Sequence, residues 1–192
     1  MPHLLVLYYS QGGATARMAR EIALGAESTG LEARLRRLES PKHPEPDNQV
    51  LVCDAVDLAD CAGLALGSPT RFGNMAWVVK EFLDSTGRLW MQGGLKDKPA
   101  CVFTSCSTLH GGHESTLLSM MIPLLHHGML LCGLPFDATL RNTASGGSPY
   151  GVTHWAKEGS AELSCEEQEL CRTQGKRLAQ IASVVTPMGG VD

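Results

Sequence analysis

The hydrophobic positions of this chain fall in short unbroken runs, separated by longer stretches of helical period. Leu4 to Tyr9 is apolar throughout, as expected of a strand buried on both faces of a parallel sheet. Met18, Ala19, Ile22, Ala23 and Ala26 then form one stripe, with Arg17, Arg20, Glu21 and Glu27 on the other side; Gly30 stops that helix. Leu31, Ala33 and Leu35 alternate with Glu32, Arg34 and Arg36, the period of a half-exposed strand at a sheet edge. Pro41, Pro44 and Pro46 mark a loop, and a short helix over 54–60 leads to a third strand over 62–67. Strands over 100–105 and 129–134 are again apolar without interruption.

Two further helices are expected between these strands. One starts at an Asn74 cap, turns Met75, Val78, Val79, Phe82 and Leu83 inward, and ends at Gly87. The other carries Leu117, Leu118, Met121, Ile122 and Leu125, with Pro123 interrupting it; an interior proline costs about 3 kcal/mol unless the helix kinks or restarts there. A last helix opens with the capping box Ser164-Cys165-Glu166-Glu167 and presents Leu170, Cys171, Leu178, Ile181 and Val185. Strands alternating with helices predict a three-layer α/β fold, a five-stranded parallel sheet with helices on both faces. Placing the alternating strand at the edge favours the order 2-1-3-4-5. That order puts a ligand crevice at the ends of strands one, three and four.

Composition narrows the function. A length of 192 residues suits one domain over 1–192, and a net charge of -4 with no basic patch argues against nucleic acid as a partner. Seven cysteines, at 53, 61, 101, 106, 132, 165 and 171, are odd in number, contain no C-x-x-C and mostly sit in apolar runs. They read as reduced thiols of a cytoplasmic protein. The N-terminus enters a strand at once, with no export signal, and the apolar window over 117–136 is broken by Pro123, His126, His127 and Gly128, so no membrane span is expected.

Candidate chemistry lies in the three loops at the crevice. Ser10, Gln11, Gly12, Gly13, Ala14 and Thr15 offer two hydroxyls, two pliant glycines and the unpaired N–H groups of the next helix, which suits a phosphate. There is no Gly-Lys-Ser/Thr ending for nucleotide hydrolysis and no G-x-G-x-x-G fingerprint, so the loop suits a mononucleotide; read alone, it also fits an ordinary strand-to-helix turn. Pro69, Thr70, Arg71, Phe72 and Gly73 make a rigid rim for a flat ring, with Arg71 as a fixed cation, or else a plain turn with a core Phe. Ser105, Cys106, Ser107, Thr108, Leu109, His110 and Gly111 are dense in hydroxyls and backbone donors, suited to a heterocycle's edge or to a flexible polar loop. No metal site is expected.

Together with Leu5-Val-Leu-Tyr-Tyr-Ser10, the runs Gly67-Ser-Pro-Thr-Arg-Phe-Gly-Asn-Met75, Phe82-Leu-Asp84, Leu89-Trp90, His126-His-Gly-Met129 and Gly146-Gly-Ser-Pro-Tyr-Gly151 resemble the WrbA-type NAD(P)H:quinone oxidoreductases of the flavodoxin-like fold. The resemblance spans nearly the whole chain. It implies bound FMN, NAD(P)H as electron donor, a homotetramer, and two-electron reduction of quinones with ping-pong kinetics. Residue by residue, it implies that 10–15 hold the FMN phosphate, that Thr70, Arg71 and Phe72 contact the ring, and that 105–111 bind the ring's other edge. It also implies that His126 reaches the flavin pocket and that Trp90 lines the quinone slot. By residue type alone, His126 reads as structural and Trp90 as core or interface. Arg71 is expected to stabilise negative charge as it develops, and Cys106 is not needed as a nucleophile. A one-electron flavodoxin carrier and an FMN-binding regulatory protein are the alternatives.

Three departures stand out. The family often has an aromatic where this chain has Gly12, which bears on NAD(P)H handling. Its fourth-strand loop is usually a run of Ser, Thr and Gly, whereas here it includes Cys106, Leu109 and His110. Residues 135–163 make too long a connection to lack structure of their own and suggest a lid or a subunit contact.

Overall fold

A computed structural model describes residues 2–40 and 49–185; the expected loop at Pro41, Pro44 and Pro46 lies outside them. The chain runs β1 (His3–Tyr8), α1 (Ala14–Glu27), β2 (Glu32–Arg37), α2 (Ala55–Asp60), β3 (Gly63–Pro69), α3 (Trp77–Ser85), α4 (Gly87–Met91) and β4 (Pro99–Cys106). It continues through α5 (His113–His126), β5 (Leu130–Leu131), α6 (Ala138–Asn142), β6 (Thr153–Trp155), a 3-10 turn (Lys157–Gly159) and α7 (Cys165–Val185).

The sheet is parallel in the order β2-β1-β3-β4-β5, as the sequence predicts, and the alternating strand is the edge. Successive side chains of a strand point to opposite faces, and β1 shows the consequence. Leu4, Val6 and Tyr8 join the core under α1 and α7, whereas Leu5, Leu7 and Tyr9 join the core under α2, α3 and α5. Both sides are therefore fully covered, which is why the strand reads as an unbroken apolar run.

Several boundaries differ from the sequence expectation, each for a local reason. α3 begins at Trp77 with Ala76 before it, not at an Asn74 cap. Asn74 instead folds back in a turn: its backbone pairs with Arg71, and its side-chain oxygen accepts from the Met75 N–H at 2.9 Å. Gly87 does not end the region but opens the short helix α4. α5 runs through Pro123 without a break, from His113 to His126.

The expected fifth strand over 129–134 shrinks to Leu130–Leu131. Its place beside the carboxyl end of β4 is taken by β6, where Thr104, Ser105 and Cys106 pair with Thr153, His154 and Trp155. Residues 135–163 thus have structure of their own, in α6, β6 and the 3-10 turn. Gln174 of α7 stitches this addition to the sheet, accepting from the Val152 N–H at 2.6 Å and donating to the Val102 carbonyl at 2.8 Å. Among the described residues no helix is long and apolar enough to cross a membrane. The cysteines are unpaired; Cys61, Cys101, Cys132 and Cys171 are buried, Cys53 and Cys106 partly so, and Cys165 is exposed. Burial pushes the Cys101 thiol up to about 12.

Candidate functional site

The loops after β1, β3 and β4 meet at the carboxyl edge of the sheet, and each is shaped by its sequence. In the first, Gly13 takes a left-handed conformation (φ 85°) that turns the chain from strand into α1. Its N–H donates to the buried Ser10 hydroxyl at 3.1 Å. The first helical bond runs from Arg17 N–H to Gly13 carbonyl, so the N–H groups of Ala14, Thr15 and Ala16 have no acceptor within the helix, and no side chain caps them. With no acidic residue in that first turn, the positive end of the helix is left for an anion. A Cβ added to Gly12 would touch nothing within 4 Å, so that side of the loop is open.

The second loop is bound to the other two. Thr70 N–H donates to the Ser105 carbonyl at 2.9 Å, and the Arg71 guanidinium donates to the Thr70 carbonyl at 2.8 Å and to the Gln11 side-chain oxygen. Arg71 therefore bridges the first and second loops. Phe72 is wholly exposed, and at a φ of 51° it holds a strained backbone for a bulky residue. An aromatic ring held out in water beside a crevice is a surface waiting for something flat. Pro69 is buried at the end of β3, and Gly73 follows Phe72 with φ 73°.

The third loop carries Ser105, buried, then Cys106, half-buried, then Ser107, Thr108, Leu109 and His110, all exposed, and Gly111. Ser105 and Thr15 hydroxyls share one hydrogen bond of 2.9 Å, which leaves one of their two protons for another acceptor. Gly111 N–H closes a turn on the Thr108 carbonyl at 3.2 Å; a Cβ at 111 would collide with Thr108 Oγ1 at 2.2 Å and Cys106 Sγ at 2.3 Å. The loop is thus a compact turn. It also abuts the second loop, since a Cβ at Gly112 would lie 2.7 Å from the Gly73 Cα.

Trp90 and His126 lie elsewhere in the chain. They sit together, the Trp90 indole donating to the His126 carbonyl at 2.8 Å, but at the C-terminal end of α5. That helix begins at the crevice and has 14 residues, so its two ends are about 20 Å apart. What joins them is a groove of about 1230 Å³ that runs from Arg71 and Phe72 past Trp77 and Ile122 to Trp90 and His126. His127 lines it too; its Nε2 pairs with the Thr86 hydroxyl at 2.9 Å, and burial beside His126 lowers its pKa.

Four residues near the site give no sequence signal. Thr116, buried on α5, places its hydroxyl 3.2 Å from that of Thr70. His113 and His154 are lone histidines without a motif, and Glu167 reads from sequence only as half of a capping box. The capping box is present: Glu167 N–H donates to the Ser164 hydroxyl at 3.1 Å, and Ser164 N–H to Glu167 Oε2 at 2.9 Å. The buried Glu167 carboxylate further accepts from Ser145 Oγ, from the N–H groups of Gly146 and Trp155, and from His154 Nδ1 at 2.7 Å. Burial raises the Glu167 pKa, but the bonds from His154, Ser145 and Ser164 outweigh it and hold the group at about 2. For His154 burial works against the charge, while Glu167 and the Ser160 carbonyl outweigh it and raise the pKa.

A 2-1-3-4-5 parallel sheet with its crevice at the ends of β1, β3 and β4 defines a protein of the flavodoxin-like class. In keeping with this, a WrbA-like flavodoxin from Agrobacterium tumefaciens superposes with a TM-score of 0.68 over 96% of this chain and 99% of its own, at 25% identity. A flavodoxin from the domain Archaea does so at 0.65 over 95% and 99%, at 18% identity, which bears on fold alone. No protein-family model matches the sequence. Two curated proteins named NAD(P)H dehydrogenase (quinone) are similar along almost their full length. That from Solidesulfovibrio magneticus is 40% identical over 196 residues, covering 93% of this chain and 97% of its own. That from Geotalea uraniireducens is 43% identical over 197 residues, covering 94% and 97%. The chain belongs to the family of NAD(P)H dehydrogenases (quinone).

Proposed function

We propose that this protein is an FMN-dependent NAD(P)H:quinone oxidoreductase, acting in the cytoplasm as a homotetramer. The observation that carries the reading is the crevice itself: an uncapped helix N-terminus, the Ser10, Thr15 and Ser105 hydroxyls, and a wholly exposed Phe72, converging from three loops. These residues fit the cofactor. Donors without acceptors at one end suit its phosphate, and an unpartnered aromatic with a compact polar turn at the other suits a flat heterocycle. When bound, FMN supplies a centre that takes up a hydride and passes on two electrons.

The chain's own residues then have distinct tasks. Ser10 to Thr15 bind the phosphate. Thr70, Phe72 and the turn over 105–111 hold the ring and keep water from one side of it. Arg71, already fixed by Thr70 and Gln11, places a cation where negative charge develops. One slot serving nicotinamide donor and quinone in turn gives ping-pong kinetics.

Trp90 and His126 take part across a subunit contact in this reading. A single chain holds them about 20 Å from the start of α5, on a groove rimmed by the exposed Phe72, Trp77, Trp90 and Ile122. Covering that apolar surface with a second copy brings one copy's Trp90 and His126 toward the other's crevice.

Titration of the purified protein with FMN, followed by steady-state oxidation of NADH and NADPH with benzoquinone, tests the proposal. Saturable FMN binding and parallel double-reciprocal lines are expected. A protein that binds no FMN, or binds it without quinone turnover, overturns it.

A further inference from the structure

The turn over 107–112 carries much of the ring-edge surface, yet its exposed side chains do little to hold it. Besides the Gly111–Thr108 turn bond and the bonds from Thr116 to the Gly112 carbonyl, the imidazole of His113, buried at the first position of α5, reaches into it. Nδ1 lies 3.2 Å from the Leu109 carbonyl, inside the turn, and Nε2 lies 3.2 Å from the His154 carbonyl, on β6. Both partners are carbonyl oxygens, which only accept, so a neutral ring with its single N–H hydrogen-bonds one of them and packs against the other.

The far end of this span is itself clamped. His154 meets the Glu167 carboxylate through Nδ1 at 2.7 Å and the Ser160 carbonyl through Nε2 at 3.0 Å. Ala156 N–H, one residue past β6, donates to the Cys106 carbonyl at 2.8 Å, and Trp155 pairs in register with Cys106. The near end reaches the other ring loop, because Gly112, next to His113, packs on Gly73 with no room for a side chain.

We infer that His113 is a positioning residue: a strut wedged between the 107–112 turn and the clamped strand β6, hydrogen-bonded at one end and packed at the other, which through Gly112 sets the spacing between the two loops that grip the flavin ring. The inference rests on the reading of the crevice as an FMN site, but the strut itself exists without ligand. Sequence position alone would not suggest it, since β6 is distant in the chain and its pairing with β4 is visible only in the fold.

Amide side chains separate the two ends. The nitrogen of Gln matches imidazole Nε2 in reach, that of Asn matches Nδ1, and Leu retains apolar bulk with no donor. His113→Gln, His113→Asn and His113→Leu are compared with the wild type in the full chain by two readouts. The first is hydrogen exchange of the 107–112 amides without FMN; the second is FMN affinity. One hydrogen bond is worth about five-fold in an equilibrium. A neutral imidazole donates one of the two bonds, so exchange and FMN dissociation constant are expected to rise about five-fold for His113→Leu and for the amide variant lacking the donor in use, and to stay within about two-fold of the wild type for the other amide variant. Equal values in all three variants would reduce His113 to a packing residue, and wild-type values in His113→Leu would remove the strut. If the wild type itself fails to bind FMN, the reading of the site falls, while exchange of the turn still decides the strut.

Discussion

At the residue scale the crevice is organised by groups whose partners are already fixed. Arg71 bridges the first and second loops, so its charge is positioned before any ligand arrives. Arg71→Met is expected to slow hydride transfer from NADH about 100-fold, the usual cost of losing a preorganised charge, while changing FMN affinity less than about five-fold. Rapid-mixing reduction and an FMN titration check the two numbers. An unchanged reduction rate removes Arg71 from the chemistry.

The Glu167–His154 pair makes a different kind of prediction, about stability. The carboxyl is depressed from 4.5 to about 2, so its contribution is full above 4.5 and is lost as pH falls toward 2. The imidazole is raised above 6.5, so its contribution is full below 6.5 and is lost as pH climbs through the folded value. Both are therefore fully present between 4.5 and 6.5. Glu167→Gln leaves the buried imidazole without its counter-charge and is expected to cost about 3 kcal/mol in urea unfolding at pH values in that window. The loss should shrink on the alkaline side, where His154 is neutral in both forms. This role was not legible in Ser164-Cys-Glu-Glu167, because a capping box looks the same whether its glutamate faces water or the interior.

At the element scale the outcome depends on how strongly each segment's neighbours mark its period. β1 and β2 were readable because β1 sends apolar side chains into the core on both faces, whereas β2 packs Ala33 and Leu35 on the core and alternates them with charged residues. β6 was not, because three residues after Gly146-Gly-Ser-Pro-Tyr-Gly151 are too few to show alternation, and its partner lies about fifty residues upstream in β4. Asn74 had the right residue type for a cap, but the Arg71 turn claimed it first. The loop over 10–15, by contrast, is local, and it joins β1 to α1 as its sequence suggests.

The pairing of α1 with α7 holds a second unreadable feature. Glycines inside helices usually only weaken them, yet a Cβ at Gly25 would meet the Arg172 carbonyl at 2.1 Å and one at Gly175 the Ile22 carbonyl at 1.9 Å. The two backbones touch there. Gly175→Ala, which raises helix propensity, is expected instead to destabilise the fold by about 2 kcal/mol, measured by thermal or urea unfolding. A gain in stability would show that α1 and α7 are not packed this closely.

At the scale of the whole molecule one chain brings the three crevice loops together but leaves Trp90 and His126 far along α5 from them. The apolar groove between the two positions is the reason to expect an assembly. Ile122→Asp puts a charge into that exposed groove, away from the three loops. Sedimentation is expected to show the tetramer falling apart and quinone turnover dropping at least about ten-fold, with FMN affinity held within about three-fold. An assembly of unchanged mass would place the subunit contact elsewhere. The central claim, that this crevice carries two electrons from a nicotinamide to a quinone, is tested most directly by mixing FMN-loaded protein anaerobically with one equivalent of NADH and then with one equivalent of benzoquinone. The account predicts that the yellow flavin absorbance bleaches in the first step and returns fully in the second, with one hydroquinone formed per NADH consumed. Flavin that stays yellow with NADH, or that bleaches but is not restored by benzoquinone, would contradict it.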